Sequence, residues 1–157
     1  MGHSCDERHH AWPLLLKTIT VLLETLDAEL QREQELPLTW FDVLVHLADA
    51  PEGRMRMNQL SESVLLSKSG VTRLVDRMEK AGLITRAPCA ADRRVVYATL
   101  TPKGRAAFRR AAPAAFRGVR EHFSSHLTAA EERALTAALE RMLAAHACSR
   151  GSIPKAV

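Results

Sequence analysis

The chain has 157 residues, enough for one domain with its own core and no need of disulfide or metal staples. Its 46% hydrophobic and 25% charged content excludes wholesale disorder, and no apolar run reaches the ~18 residues that cross a bilayer. Charge is sorted along the chain: residues 1–53 hold 3 Lys/Arg against 10 Asp/Glu, residues 54–110 hold 13 against 4, and residues 111–157 hold 6 against 4. The basic middle third points to an anionic partner, nucleic acid ahead of a membrane surface.

The opening stretch "MGHSCDERHHAW" lacks the basic segment and apolar run of a signal peptide. Residues 1–11 and 148–157 are expected to be flexible tails. Cys5, Cys89 and Cys148 are scattered and form no CxxC, so a reducing cytoplasm is the expected compartment.

A helix is predicted over 12–34, with Leu15, Ile19, Leu22, Leu26 and Leu30 on one face. Pro37 breaks the chain and Thr39 is expected to cap a short helix over 39–49, burying Phe41, Val43, Leu44 and Leu47. "DAPEGR" reads as a turn. Asn58 is expected to cap a brief helix through Ser63 with Leu60 and Val64 inward, and Ser67 to cap the helix that follows "LLSKSG". In that next helix Val71, Leu74, Val75, Met78 and Ala81 form an apolar stripe, and Gly82 stands where the C-terminus wants a left-handed residue. Two short helices joined by a tight turn make a helix-turn-helix. "LITRAP" and "VVYATLT", separated by "CAADRR", form a β-hairpin directly after it, in the manner of a wing. Thr101 and Pro102 restart a helix that runs to Phe123, with a kink expected at Pro113. Thr128 and Glu131 supply a capping box for a last helix carrying Leu135, Leu139, Met142 and Leu143.

The other face of the 67–81 helix carries Ser69, Thr72, Arg73, Asp76, Arg77 and Lys80, and its opening turn Ser67, Lys68 and Gly70. A helix entering the DNA major groove needs a slim first turn with short hydroxyl side chains, and arginines behind it to reach guanine edges or phosphates. Asp76 is placed to fix an arginine rotamer. The hairpin tip presents Asp92, Arg93 and Arg94 on a thin protrusion suited to a narrow minor groove. A solvated basic face is the alternative for the helix alone; the hairpin following at winged-helix spacing favours DNA.

"LLSKSGVTRLVDRMEKAGLITR" followed by "DRRVVYATLTPKG" resembles the multiple-antibiotic-resistance regulator (MarR) family of bacterial winged helix-turn-helix transcription regulators. The resemblance covers most of the chain, and the pattern Asp92, Arg94, Leu100, Thr101, Gly104 is its most specific part. It implies a mainly α fold with a small β-hairpin wing, in which a winged helix-turn-helix core over 39–101 is flanked by dimerisation helices over 12–36 and 102–147. It further implies a repressor without catalytic activity or cofactor that binds a palindromic double-stranded operator as a homodimer, with a small-molecule effector. On the matching positions, 67–77 becomes the recognition helix, Asn58 and Gln59 open the supporting helix, Arg94 is the minor-groove arginine and Asp92 braces it. Independently, the two C-terminal helices look too apolar for one winged-helix lobe to cover.

Trp12, Trp40, Asp42 and His46 are candidates to line an effector pocket, although aromatics at helical spacing are as readily core. His122 and His126 have the i, i+4 spacing of a zinc pair but lack evident companion ligands, and Cys5 lacks activating neighbours for redox sensing. A metal- or redox-responsive regulator of the same fold, and a winged helix used for protein assembly, stay open as alternatives.

Overall fold

The computed structural model describes residues 10–64, 68–89, 92 and 94–147, with the backbone alone at 68, 69 and 147. Cys5, Cys148, Ser67, Arg93 and nearly all of both expected tails lie outside the described residues. Among the described residues six α-helices appear in order: α1 (Ala11–Gln34), α2 (Leu38–Asp49), α3 (Met57–Ser63), α4 (Lys68–Lys80), α5 (Pro102–His122) and α6 (Ala129–Ala147). Three short strands, β1 (Arg54–Arg56), β2 (Ile84–Pro88) and β3 (Val96–Leu100), form an antiparallel sheet in the order β1-β3-β2. The fold is mainly α with a small wing, as the sequence pattern requires.

The core lies where α2, α3 and α4 meet the sheet. Val71, Leu74, Val75 and Met78 of α4 are fully buried against Leu44, Leu47, Leu60 and Ile84, while Ala81 is only half-buried. Phe41 of α2 stacks on Phe108 at 5.8 Å and meets Phe116 edge-on at 6.3 Å, fastening the lobe to α5.

The end of α4 is a Schellman motif. Gly82 takes φ +74°, its N–H bonds Glu79 O at 2.8 Å, and Leu83 N–H bonds Met78 O at 3.0 Å. Lys103 Nζ reaches over from α5 to Ala81 O at 2.7 Å, adding a cation to that helix end. The capping box on α6 also forms: Thr128 N–H donates to Glu131 Oε2 at 2.8 Å and Glu131 N–H to Thr128 Oγ1 at 3.3 Å.

Two expected caps are made differently. Thr39 does not cap α2; the helix starts at Leu38, whose N–H is taken by Asp27 Oδ1 of α1 at 2.7 Å. Asn58 is the second residue of α3 rather than its cap, because Arg56 takes that place and its N–H bonds Gln59 Oε1 at 3.3 Å. Pro113 leaves α5 continuous from Pro102 to His122. The segment read as one turn contains a 3₁₀ turn (Pro51–Gly53) and then β1, which pairs Arg54 with Thr99 and Arg56 with Tyr97.

The helices outside the lobe are under-covered. Trp12, Leu14, Leu16, Ile19, Val21 and Leu23 of α1 are exposed, as are Leu139, Met142 and Leu143 of α6. Among the described residues no other element packs extensively on α6.

Candidate nucleic-acid interface

Helix α4 presents two chemically sorted faces. Its apolar stripe is sealed against the lobe, so everything else on it faces solvent or the wing. Thr72, Arg73, Arg77 and Lys80 are exposed and Gly70 is half-buried. Lys68 and Ser69 sit in its first turn. Arg73, Arg77 and Lys80 enter no ion pair among the described residues.

The acidic residues of α4 behave differently. Asp76 does not fix either neighbouring arginine: its Oδ1 holds Arg86 Nη1 of β2 at 2.7 Å. Glu79 Oε2 takes Arg86 Nη2 at 2.6 Å and Nε at 2.9 Å, and Glu79 Oε1 takes the Arg86 backbone N–H at 2.9 Å. This fork holds the Glu79 carboxyl below its usual range and raises the Arg86 guanidinium. One side chain therefore joins the first wing strand to α4 and neutralises its negative charge. Arg86 was not singled out from the sequence, because nothing local ties "ITR" to a helix seven residues earlier.

The wing tip is a local brace. Asp92 Oδ1 accepts from the Arg94 backbone N–H at 3.0 Å and from Arg94 Nε at 3.2 Å, with Asp92 Oδ2 3.3 Å from Nη2. The hydrogen bonds from Arg94, side chain first and then backbone, keep the Asp92 carboxyl below its ordinary value. The Arg94 side chain is nevertheless 92% exposed, held at its base and bare at its end. At the opening of α3, Asn58 and Gln59 are exposed.

The lobe is locked to α5 where the wing returns. Thr101 Oγ1 caps α5 by accepting from Gly104 N–H at 2.9 Å, and lies 2.7 and 2.9 Å from the carbonyl oxygens of Gly82 and Leu83.

The four candidate effector residues are not gathered. Trp12 is 64% exposed near the start of α1, and Trp40 packs half-buried against the core. Asp42 and His46 are adjacent on α2, with His46 Nε2 3.5 Å from Asp42 Oδ1. None of the four lines the apolar cleft between α1, α2 and α5, whose walls include Leu26, Leu30, Leu38, Phe41 and Phe116. Two cross-helix pairs flank it: Glu33 with Arg117 at 2.6 Å and Glu29 with His122 at 2.8 Å. His122 thus has a carboxylate partner, and His126 stands outside α5 in a 3₁₀ turn, so the two do not share one helix. No group of three His, Cys, Asp or Glu side chains fit to hold a metal occurs among the described residues.

The MarR family model matches residues 34–95, which takes in α2, α3, α4 and most of the wing. The whole fold superposes on AbsC, a MarR family transcriptional regulator from Streptomyces coelicolor, with a TM-score of 0.84 at 31% identity, covering 96% of this chain and 100% of that one. The chain belongs to the MarR family. Sco3205, a MarR family regulator of the same organism solved in complex with DNA, gives a TM-score of 0.81 at 30% identity over 92% of this chain and 89% of that one. The transcriptional regulator MhqR of Bacillus subtilis is 33% identical over 63 residues, which is 40% of this chain and 40% of MhqR. The match spans less than two thirds of the length of each curated relative. As a MarR family protein the chain is a DNA-binding transcription regulator and not an enzyme.

Proposed function

We propose that the protein is a repressor that binds a pseudo-palindromic operator as a homodimer, with α4 of each protomer in a major groove and the wing in the flanking minor groove. The observation that carries this is the sorting of charge on α4. Its acids are turned to Arg86, while Arg73, Arg77 and Lys80 are left outward and without ion pairs among the described residues. Ser67, Lys68, Ser69, Gly70 and Thr72 would form the slim leading turn against phosphates and base edges, with Arg73 and Arg77 reaching guanine or the backbone. Asn58 and Gln59 would meet phosphate from the start of α3. Arg94, braced by Asp92, would enter the minor groove beside Arg93. Repression is the simplest consequence of occupying promoter DNA, since it asks for no further contact.

Dimerisation is supported by the apolar faces that one chain leaves uncovered. Residues 12–36 and 102–147 would form the intertwined dimer helices and 39–101 the reading lobe. A second copy would cover the exposed side chains of α1 and α6, and two-fold symmetry would match two half-sites about one helical turn apart. The apolar cleft between α1, α2 and α5 is where we would look for a small-molecule effector, because it lies between dimer helices and lobe. No helix among the described residues is long and apolar enough to cross a membrane, and reading a bacterial chromosome sets the work in the cytoplasm.

Selection of random duplexes by the purified protein, followed by mobility shifts of the winner at two salt concentrations, tests this. Enrichment of a palindrome bound in a salt-sensitive manner is the expected result. Equal, weak binding of all duplexes would overturn sequence-specific repression.

A further inference from the structure

Strand β1 brings a second basic group to the wing, away from its tip. Alternation along antiparallel strands puts Arg54 and Arg56 on one face, together with their cross-strand partners Thr99 and Tyr97 and with Thr85 and Ala87 of β2. The other face carries Met55, Ala98, Leu100, Ile84 and Arg86, and turns to the core and to α4. The outward face is therefore an open surface with two arginines at its edge.

Tyr97, the sole tyrosine of the chain, separates the two. The Arg54 guanidinium lies over its ring at 5.3 Å and is paired with Glu52 at 2.6 Å, so its charge is already answered. Arg56 differs. Its Nε donates to Tyr97 Oη at 3.3 Å, it is exposed, and it enters no ion pair among the described residues. Arg56 immediately precedes α3, its backbone N–H donates to Gln59 Oε1 at 3.3 Å, and across the sheet it pairs with Tyr97, three residues from Arg94. It thus stands between the Asn58–Gln59 end of the supporting helix and Arg94.

We infer that Arg56 is a phosphate-binding residue of the DNA interface and that Tyr97 is its positioning residue. This rests on the DNA-binding reading above. A guanidinium anchored through Nε keeps its two terminal nitrogens outward in the fork that suits a phosphate. Bridging the gap between α3 and the wing tip, it would hold the backbone strand that separates the major groove from the minor groove. The contact carries no sequence information and contributes affinity on every duplex.

The test is the salt dependence of Kd on the selected operator and on an unrelated duplex, for wild type, Arg56→Ala, Arg56→Lys, Tyr97→Phe and Arg56→Ala/Tyr97→Phe. One lost phosphate contact flattens the log–log slope by about 0.9, so the advantage of wild type over Arg56→Ala should shrink about 8-fold per tenfold rise in salt. Arg56→Lys should restore most of the slope. Tyr97→Phe, which changes no charge and keeps the ring under Arg54, should weaken binding in wild type and not further in Arg56→Ala. Unfolding midpoints for each variant exclude loss of fold. An unchanged slope in Arg56→Ala, with wild type binding its operator, overturns the Arg56 assignment alone. Equal losses from Tyr97→Phe in both backgrounds overturn the role of Tyr97. A wild-type protein that binds no duplex overturns the underlying DNA reading as well.

Discussion

Gly104 and Gly118 lie in the same helix, yet Gly→Ala should be far more costly at the first than at the second. At Gly104 an added Cβ would stand 2.0 Å from Leu83 O, 2.8 Å from Leu100 Cδ1 and 3.0 Å from Leu83 C. That carbonyl cannot swing aside without loss, because it accepts from Thr101 N–H at 3.1 Å and lies 2.9 Å from Thr101 Oγ1. At Gly118 the same Cβ would meet Leu26 Cδ2 at 2.7 Å and Glu29 Oε2 at 3.3 Å, both ends of side chains that can rotate. Ala gains about 1 kcal/mol over Gly in a helix at either site. Against that, overpacking on backbone costs about 1–3 kcal/mol, and displacing the Leu83 carbonyl forfeits two hydrogen bonds at about 0.5–1.5 kcal/mol each. Gly104→Ala should therefore destabilise by about 1–5 kcal/mol net, and Gly118→Ala should stay within about 1 kcal/mol of wild type. Urea unfolding at one fixed protein concentration measures both, since a dimer's stability depends on concentration. If Gly104→Ala proves no worse than Gly118→Ala, the packing argument at the lobe–helix junction fails.

Arg94→Ala should weaken binding chiefly on operators with a narrow A·T-rich minor groove, and competition between A·T- and G·C-flanked duplexes would reveal equal loss if it does not read shape. Arg73→Ala or Arg77→Ala should each cost about 1–3 kcal/mol of operator affinity where the arginine reads guanine, measured against single-base operator variants. The His46 imidazole is raised above 6.5 by its hydrogen bond with Asp42, against the opposing effect of burial, with the Ser63 carbonyl and Asp49 adding to the rise. Its contribution to stability is thus complete below pH 6.5 and lost as pH climbs through the raised value. His46→Gln should flatten the pH dependence of unfolding there, and an unchanged profile would show that the pair is not coupled to folding. Met142→Asp with Leu143→Asp on α6 should yield monomers by sedimentation, and an unaltered dimer would move the interface elsewhere.

What could be read from sequence was whatever depends on neighbours along the chain. The α4 stripe, the Gly82 stop and the Thr128–Glu131 box each need only residues within a turn or two, and each formed. The start of α2 is closed from outside: Asp27 of α1 accepts from the Leu38 N–H, and the helix begins one residue before the expected Thr39 cap. Strand β1 is three residues long and exists only because β3 pairs with it from some forty residues away, so no local pattern announces it. The same non-locality hid Arg86, whose partners lie on another element, and the Glu29 carboxylate of α1 that pairs with His122. For the site, the residue types on α4 and the wing were legible. Which charges are neutralised and which are left outward was not.

The Arg86 fork has a mechanical consequence. Four contacts tie β2 to α4, so wing and α4 would move as one piece, and in the proposed dimer the freedom left to two such lobes would be the gap and angle between them. One inserted base pair between half-sites turns the second by roughly 35° and shifts it along the axis. A lobe that moves as one piece would answer that through its dimer helices. In the proposed dimer, operator spacing would then be a quantity to which the molecule is unforgiving.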